Sequence, residues 1–203
     1  MIKAIVLDIG GVLLRTEDRT SREQLEQKYD LPAGGSDKIV FDSDVAMEST
    51  LGNTGPELIW KNVADNLALS PEGLDAFKRS FWAGDRVDQE LIHFLQECRV
   101  DYIVALLSNA WLNFRTVLAE NYQIKEGQTV DKIFISSELG IAKPNKRIYE
   151  ILAEKLNCEM NEILFVDDFI ENIKAAKKLG IHTIHYKPGM DLINEIKSRL
   201  DQE

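Results

Sequence analysis

The sequence predicts an α/β fold: a doubly wound parallel sheet with a small helical unit inserted after its first strand. Three observations lead there. Short, β-rich apolar runs recur along the chain. Amphipathic stretches with helical spacing lie between them. One long interval, Arg15 to about Val87, breaks the alternation, with helical pattern and no convincing strand.

The first run, AIVL (Ala4 to Leu7), leads into Asp8 and the paired glycines Gly10 and Gly11. The interval that follows reads as helices over Arg19 to Tyr29, Pro56 to Leu69 and Pro71 to Trp82, with a turn-rich break at Asp30 to Asp37. Ser70 before Pro71 has the form of an N-cap with proline at the first helical position, where its missing N–H costs nothing. Asp88 to Glu97 returns the chain to the sheet as a helix. The later strands are YIVALL (Tyr102 to Leu107), KIFIS (Lys132 to Ser136), ILFV (Ile163 to Val166) and HTIHY (His182 to Tyr186). Helices over Lys146 to Leu156 and Ile170 to Leu179 separate the last three, and Gly180 stops the second. The first, second and fourth strands are apolar on both faces, which suits the middle of a parallel sheet. The expected organisation is a core of residues 1–14 and 88–203 with a helical unit of residues 15–87.

At 203 residues and 44% apolar, the chain can bury a core. Acidic residues number 34 against 24 basic, for a net charge of -10, which argues against non-specific nucleic-acid binding. A small anionic substrate remains compatible, because a local site can be cationic on an acidic protein. Cys98 and Cys158 have no metal-ligand spacing and suggest no disulfide framework. The N-terminus lacks the pattern of a signal peptide, and no apolar run reaches the ~18 residues of a membrane span. The expectation is a soluble, cytoplasmic protein.

Four features fall at the carboxyl ends of predicted strands or in the loops that follow. They are Asp8, the pair Ser108 and Asn109, Lys143, and the pair Asp167 and Asp168. In an open α/β sheet the ligand crevice lies at that edge. Three carboxylates gathered together repel unless a cation sits among them. Mg²⁺ suits such a site, being a hard ion with oxygen ligands that also holds phosphate. A carboxylate can attack phosphorus to form an aspartyl-phosphate. Lys143 can neutralise charge on nucleophile and phosphate. The Ser108 hydroxyl and the Asn109 backbone N–H can meet phosphate oxygens, and Gly10 and Gly11 let the backbone pass close to a ligand. The set reads as an apparatus for phosphoryl transfer on a small phosphorylated metabolite.

LDIGGVL, LLSNA, IAKP and FVDD, in that order, resemble the four motifs of the haloacid dehalogenase-like hydrolases, and the resemblance runs from Ile2 to about Tyr186. It implies that Asp8 is the nucleophile and a Mg²⁺ ligand, that the Gly10 carbonyl and Asp168 also ligate the metal, and that Asp167 supports it through water. It further implies phosphate binding by Ser108 and Asn109, a charge-balancing role for Lys143, and a helical cap over residues 15–87. Asn172 is a candidate to orient the metal's surroundings.

One position departs from the family pattern. Phosphatases of the family usually carry a second aspartate, the general acid, where this chain has Gly10. Loss of a positioned acid typically costs ~10²- to 10⁴-fold in rate. The D-x-G-G form resembles a branch that looks like sugar-phosphate phosphatases. A residue of the cap, with Glu48 the candidate, or a water on Mg²⁺ could replace the acid. Two other functions compete: a metal-free hydrolytic dehalogenase, and a catalytically weak relative that binds a phosphorylated ligand or a partner. His93, His182 and His185 lack ligand spacing, Trp60, Phe81, Trp82 and Trp111 read as core, and Lys174, Lys177 and Lys178 read as a solvated helix face.

Overall fold

The structure, a computed structural model, describes residues 1–201. In chain order the strands are β1 (Ala4–Leu7), β2 (Leu14–Thr16), β3 (Asp85–Val87), β4 (Ile103–Ser108), β5 (Lys132–Ile135), β6 (Ile163–Asp167) and β7 (His182–His185). Five of them form a parallel sheet in the order β5-β4-β1-β6-β7. The chain winds one way from β1 to β4 and β5, then the other way to β6 and β7. β1 is therefore the switch point, where a crevice opens at the carboxyl edge. Leu7 pairs with Leu106 on one side and Val166 on the other, so Asp8, Ser108, Asp167 and Asp168 all emerge at that edge.

The strands expected to be interior are interior. β1 and β6 are buried at every residue, and β4 at all but its first. Alternation splits their side chains between two cores. Ile5, Leu7, Leu106 and Val166 pack with Leu91, Leu95, Leu118 and Ile196. Ala4, Val6, Leu107 and Phe165 pack with Ile148, Tyr149, Leu152 and Ile173. The first face is covered by α6 (Gln89–Cys98), α7 (Phe114–Asn121) and α11 (Leu192–Asp201), the second by α9 (Lys146–Leu156) and α10 (Ile170–Lys178). One turn of helix, α8 (Ser136–Leu139), follows β5 directly, so Ser136 begins a helix instead of ending a strand.

Between β2 and β3 lie α1 (Thr20–Lys28), α2 (Gly35–Phe41), α3 (Asp44–Thr50), α4 (Pro56–Leu67) and α5 (Pro71–Trp82). They have a core of their own around Leu25, Val40, Val63, Phe77 and Phe81. Ser70 caps α5 by accepting a hydrogen bond from Gly73 N–H, and proline follows it as expected. Two expectations fail in this segment. The interval does contain strands: β2 and β3 pair antiparallel, Leu14 with Val87 and Thr16 with Asp85. Three-residue strands have no readable period, and their partners lie some 70 positions apart (Thr16 and Asp85 are separated by 69). The expected break at Asp30 to Asp37 ends inside α2, because Gly34, at φ 75°, turns the chain straight into that helix. α2 and α3, at 7 residues each, span under two turns and show no clear apolar stripe.

Buried Arg22 ties the segment to its ribbon. It pairs with Asp85 at 2.8 Å, pairs with Asp37, and donates to the Phe81 carbonyl at 3.0 Å. Among the described residues no helix is long and apolar enough to cross a membrane.

Candidate active site

Strand β1 ends where Asp8 N–H donates to the Val166 carbonyl at 2.8 Å, which presents the Asp8 side chain at the crevice. Lys143 arrives from the loop before α9 and is buried. Its Nζ lies 3.0 Å from Asp8 Oδ1 and 2.7 Å from Asp167 Oδ2, and it donates to the Leu107 carbonyl at 2.9 Å. All three ammonium donors thus have acceptors. Asp167 is fully buried and saturated: it also accepts from Phe169 N–H at 2.7 Å and from Asn172 Nδ2 at 3.1 Å. Asp168 instead is only partly desolvated, on the cleft wall.

Carboxylate oxygens of Asp8, Asp167 and Asp168 lie within 4.8 Å of one another. Burial pushes the Asp8 carboxyl up to about 7; Asp167 and Asp168 add to the rise and Lys143 opposes it. Asp168 is raised by burial and by the Asp167 charge. Lys143 is desolvated, yet the two carboxylates outweigh that loss and raise its pKa. One lysine cannot balance three carboxylates. The oxygen donors and surplus negative charge fit a hard divalent cation.

Each glycine of the pair has its own geometry. Gly11 has φ +79°, and a Cβ there would lie 2.6 Å from Asp168 Cγ. Its missing side chain makes room for that carboxylate. A Cβ at Gly10 would meet nothing within 4 Å. The Asn109 side chain is already engaged: Nδ2 donates to the Lys143 carbonyl at 2.9 Å, and Oδ1 accepts from Lys143 N–H at 2.8 Å. This clamp fixes the lysine's backbone, a structural use of Asn109 beyond the expected one. Buried Ser108 ends β4 in the crevice wall.

The family model for haloacid dehalogenase-like hydrolases matches residues 2–180. The chain belongs to that family. This haloacid dehalogenase-like hydrolase is 28% identical to a D-ribitol-5-phosphate phosphatase of Bacteroides thetaiotaomicron over 97% of each chain. It is 23% identical to a sesquiterpene phosphatase of Aspergillus oryzae, over 96% of this chain and 95% of that one. A family enzyme of B. thetaiotaomicron, solved with magnesium and inorganic phosphate, superimposes with a TM-score of 0.75 at 26% identity, covering 94% of this chain and 97% of that one.

In this hydrolase all of the expected site residues except buried Asp167 line one cleft of ≈ 1670 Å³, which also reaches the helical segment. Glu48 is outside that lining; it is exposed and accepts from Asn53 at 2.7 Å, so the structure does not place it beside the leaving group of an ester at Asp8. Sequence reasoning missed Ser136. Its hydroxyl accepts from Ala110 N–H at 3.0 Å and donates to the Thr50 carbonyl at 2.7 Å, bracing the Ser108–Asn109 loop against α3. Its place directly after β5, at the carboxyl edge of the sheet, was the available signal. His185 Nε2 lies 3.0 Å from the Asp168 carbonyl, a contact that steadies the loop.

Proposed function

We propose that the protein is a Mg²⁺-dependent phosphatase that hydrolyses a small phosphate monoester through a phospho-Asp8 intermediate. The observation that carries this is Lys143 Nζ between Asp8 and Asp167, 3.0 and 2.7 Å away, at the sheet's switch point. The relatives that act on ribitol phosphate and on sesquiterpene phosphates, and the neighbour solved with magnesium and phosphate, support it.

Asp8, Asp168 and the Gly10 carbonyl would hold the cation, with Asp167 behind them. Bound there, Mg²⁺ supplies positive charge to the phosphate oxygens. Ser108 and the Asn109 N–H receive the phosphate. Asp8 attacks phosphorus as the P–O bond to the leaving group breaks, and Lys143 offsets charge as the carboxylate becomes an acyl phosphate, which one water then hydrolyses. Asp167, saturated by Lys143, Asn172 and Phe169, holds the lysine in place. The helical segment, residues 15–87, is a cap over the leaving group, since it forms the far wall of the cleft. The substrate is a small phosphorylated metabolite. The setting is the cytoplasm, in keeping with two unpaired thiols at Cys98 and Cys158.

The test is phosphate release from a panel of esters with Mg²⁺ and with EDTA, beside Asp8→Asn. Release that needs Mg²⁺ and vanishes in the variant is expected. Halide release from a 2-haloacid in EDTA would replace this reading with a dehalogenase. Ligand binding without turnover would replace it with a binding protein.

A further inference from the structure

We propose that the ester carries an apolar aromatic hydroxyl, so that the leaving group is a phenol and not a polyol; this rests on the phosphatase reading above. Four aromatic rings of the cleft wall form a closed set. Trp60 and Trp111 meet at 6.0 Å and 88°, Trp60 and Trp82 at 6.3 Å and 77°. Phe41 lies 5.9 Å from Trp82 and 5.8 Å from Trp111. Three of these come from the helical segment. Trp111 comes from the core, two residues after Asn109, which places its Cα within ~7 Å of that residue's. The ring set therefore begins beside the phosphate loop.

The three tryptophans are half-buried against the segment's own core, but other apolar groups of the same cleft stand exposed. Phe41 remains 41% exposed, Met47 54% and Phe169 58%, and all three line the cleft. Large apolar side chains left in solvent around one cleft mark a binding surface. Aromatic walls bind flat apolar groups by offset or edge-on contact. A polyol needs the opposite, free donors and acceptors. The basic groups of the same wall are already engaged. Arg22 pairs with Asp85 at 2.8 Å, Lys61 lies 2.5 Å from Asp65, and Lys78 sits 5.3 Å from the Trp60 ring centroid. Asp42 and Glu57 stand exposed.

Gly10 supplies the second argument. No side chain stands there to protonate a leaving oxygen, and Lys143 is held by Asp8 and Asp167. An alkanol is about as weak an acid as water, at ~15.7. A phenol ionises near ~10 and can depart as the anion. Asp8 Oδ bonds to phosphorus as the P–O(aryl) bond breaks. The phenolate leaves with the electron pair and takes a proton from solvent. One water then cleaves the phospho-Asp8, which restores the carboxylate and releases phosphate.

Two measurements test this. The first is kcat/KM across substituted phenyl phosphates, alkyl phosphates and a pentitol phosphate, for the wild type and Gly10→Asp. The wild type should depend steeply on leaving-group pKa. Gly10→Asp, whose side chain enters open space, should raise kcat on alkyl esters ~10²-fold and flatten that dependence. The second is inhibition by non-hydrolysable phosphonates, which reads binding without leaving-group chemistry. A naphthyl phosphonate should bind at least ~10-fold tighter than a pentitol phosphonate, and Trp60→Ala should erase the difference. A flat dependence in the wild type, a pentitol ester preferred over aryl esters, or equal inhibition would overturn the proposal. Failure to release phosphate from every ester with Mg²⁺ would instead sink the phosphatase reading itself.

Discussion

Replacing Gly11 with alanine separates two roles of one glycine. Its φ of +79° costs a side-chain-bearing residue ~1–2 kcal/mol. In a chain of this size that lowers Tm by roughly 2–8 °C, read in EDTA. The new Cβ would also stand 2.6 Å from Asp168 Cγ, whereas carbon atoms rest at ~3.5–4.0 Å. The Asp168 carboxylate must give by about 1 Å. Mg²⁺ demands oxygens at ~2.0–2.1 Å in near-octahedral array, so such a shift breaks a ligand bond. The expected result is a Kd for Mg²⁺ at least ~10-fold weaker by titration calorimetry, or ~1.4 kcal/mol. Gly10→Ala is the paired control, because its Cβ meets nothing within 4 Å. It should bind Mg²⁺ at least ~10-fold more tightly than Gly11→Ala. If Gly11→Ala loses stability in EDTA yet binds Mg²⁺ like the wild type, Asp168 does not ligate the metal.

Other substitutions and conditions probe the rest of the site. Lys143→Met strips a buried cation from two carboxylates and should cost ~3–5 kcal/mol by urea unfolding without metal; a loss under ~1 kcal/mol would mean the pairing is not structural. Asn109→Ala removes both clamp bonds to Lys143, 2.9 and 2.8 Å long, and should lower kcat far more than it changes KM; a pure KM effect would make Asn109 a substrate contact only. Burial pushes Asp8 up to about 7, so the metal-free fold keeps a proton that the unfolded chain sheds near ~4. That contribution is present at low pH and falls away as pH rises from ~4 through ~7. Mg²⁺ needs the ionised carboxylate, so the Tm gained from Mg²⁺ should grow between about pH 5.5 and pH 8; a gain that stays flat would contradict the Asp8 assignment.

Much of this molecule is written locally. β1, β4 and β6 are legible as interior strands because their own residues are apolar on both faces. α5 and α9 begin and end where the sequence says they should, since Ser70 and Asn145 cap them with their own side chains. Asp8, Ser108, Lys143 and Asp168 are legible as a group because parallel strands bring their carboxyl ends to one edge.

Other features depend on partners far apart in the chain. The β2–β3 ribbon is one, since five helices lie between Thr16 and its partner Asp85. The space at Gly11 is another. The glycine is visible in the sequence, but the carboxylate that fills its place comes from residue 168. The Asn109 side-chain clamp is a third, since its amide meets the Lys143 backbone 34 positions away. Trp60, Phe81, Trp82 and Trp111 all read as core residues. Packing buries Phe81 completely and sets the three tryptophans half-buried, against that core on one side and on the cleft wall on the other. The family chemistry is legible from residues alone, because a nucleophile, a lysine and paired carboxylates at strand ends are local patterns on a regular sheet. How the cleft is walled and how tightly each charge is held follow from the fold, because burial and pairing are properties of neighbours brought together from across the chain.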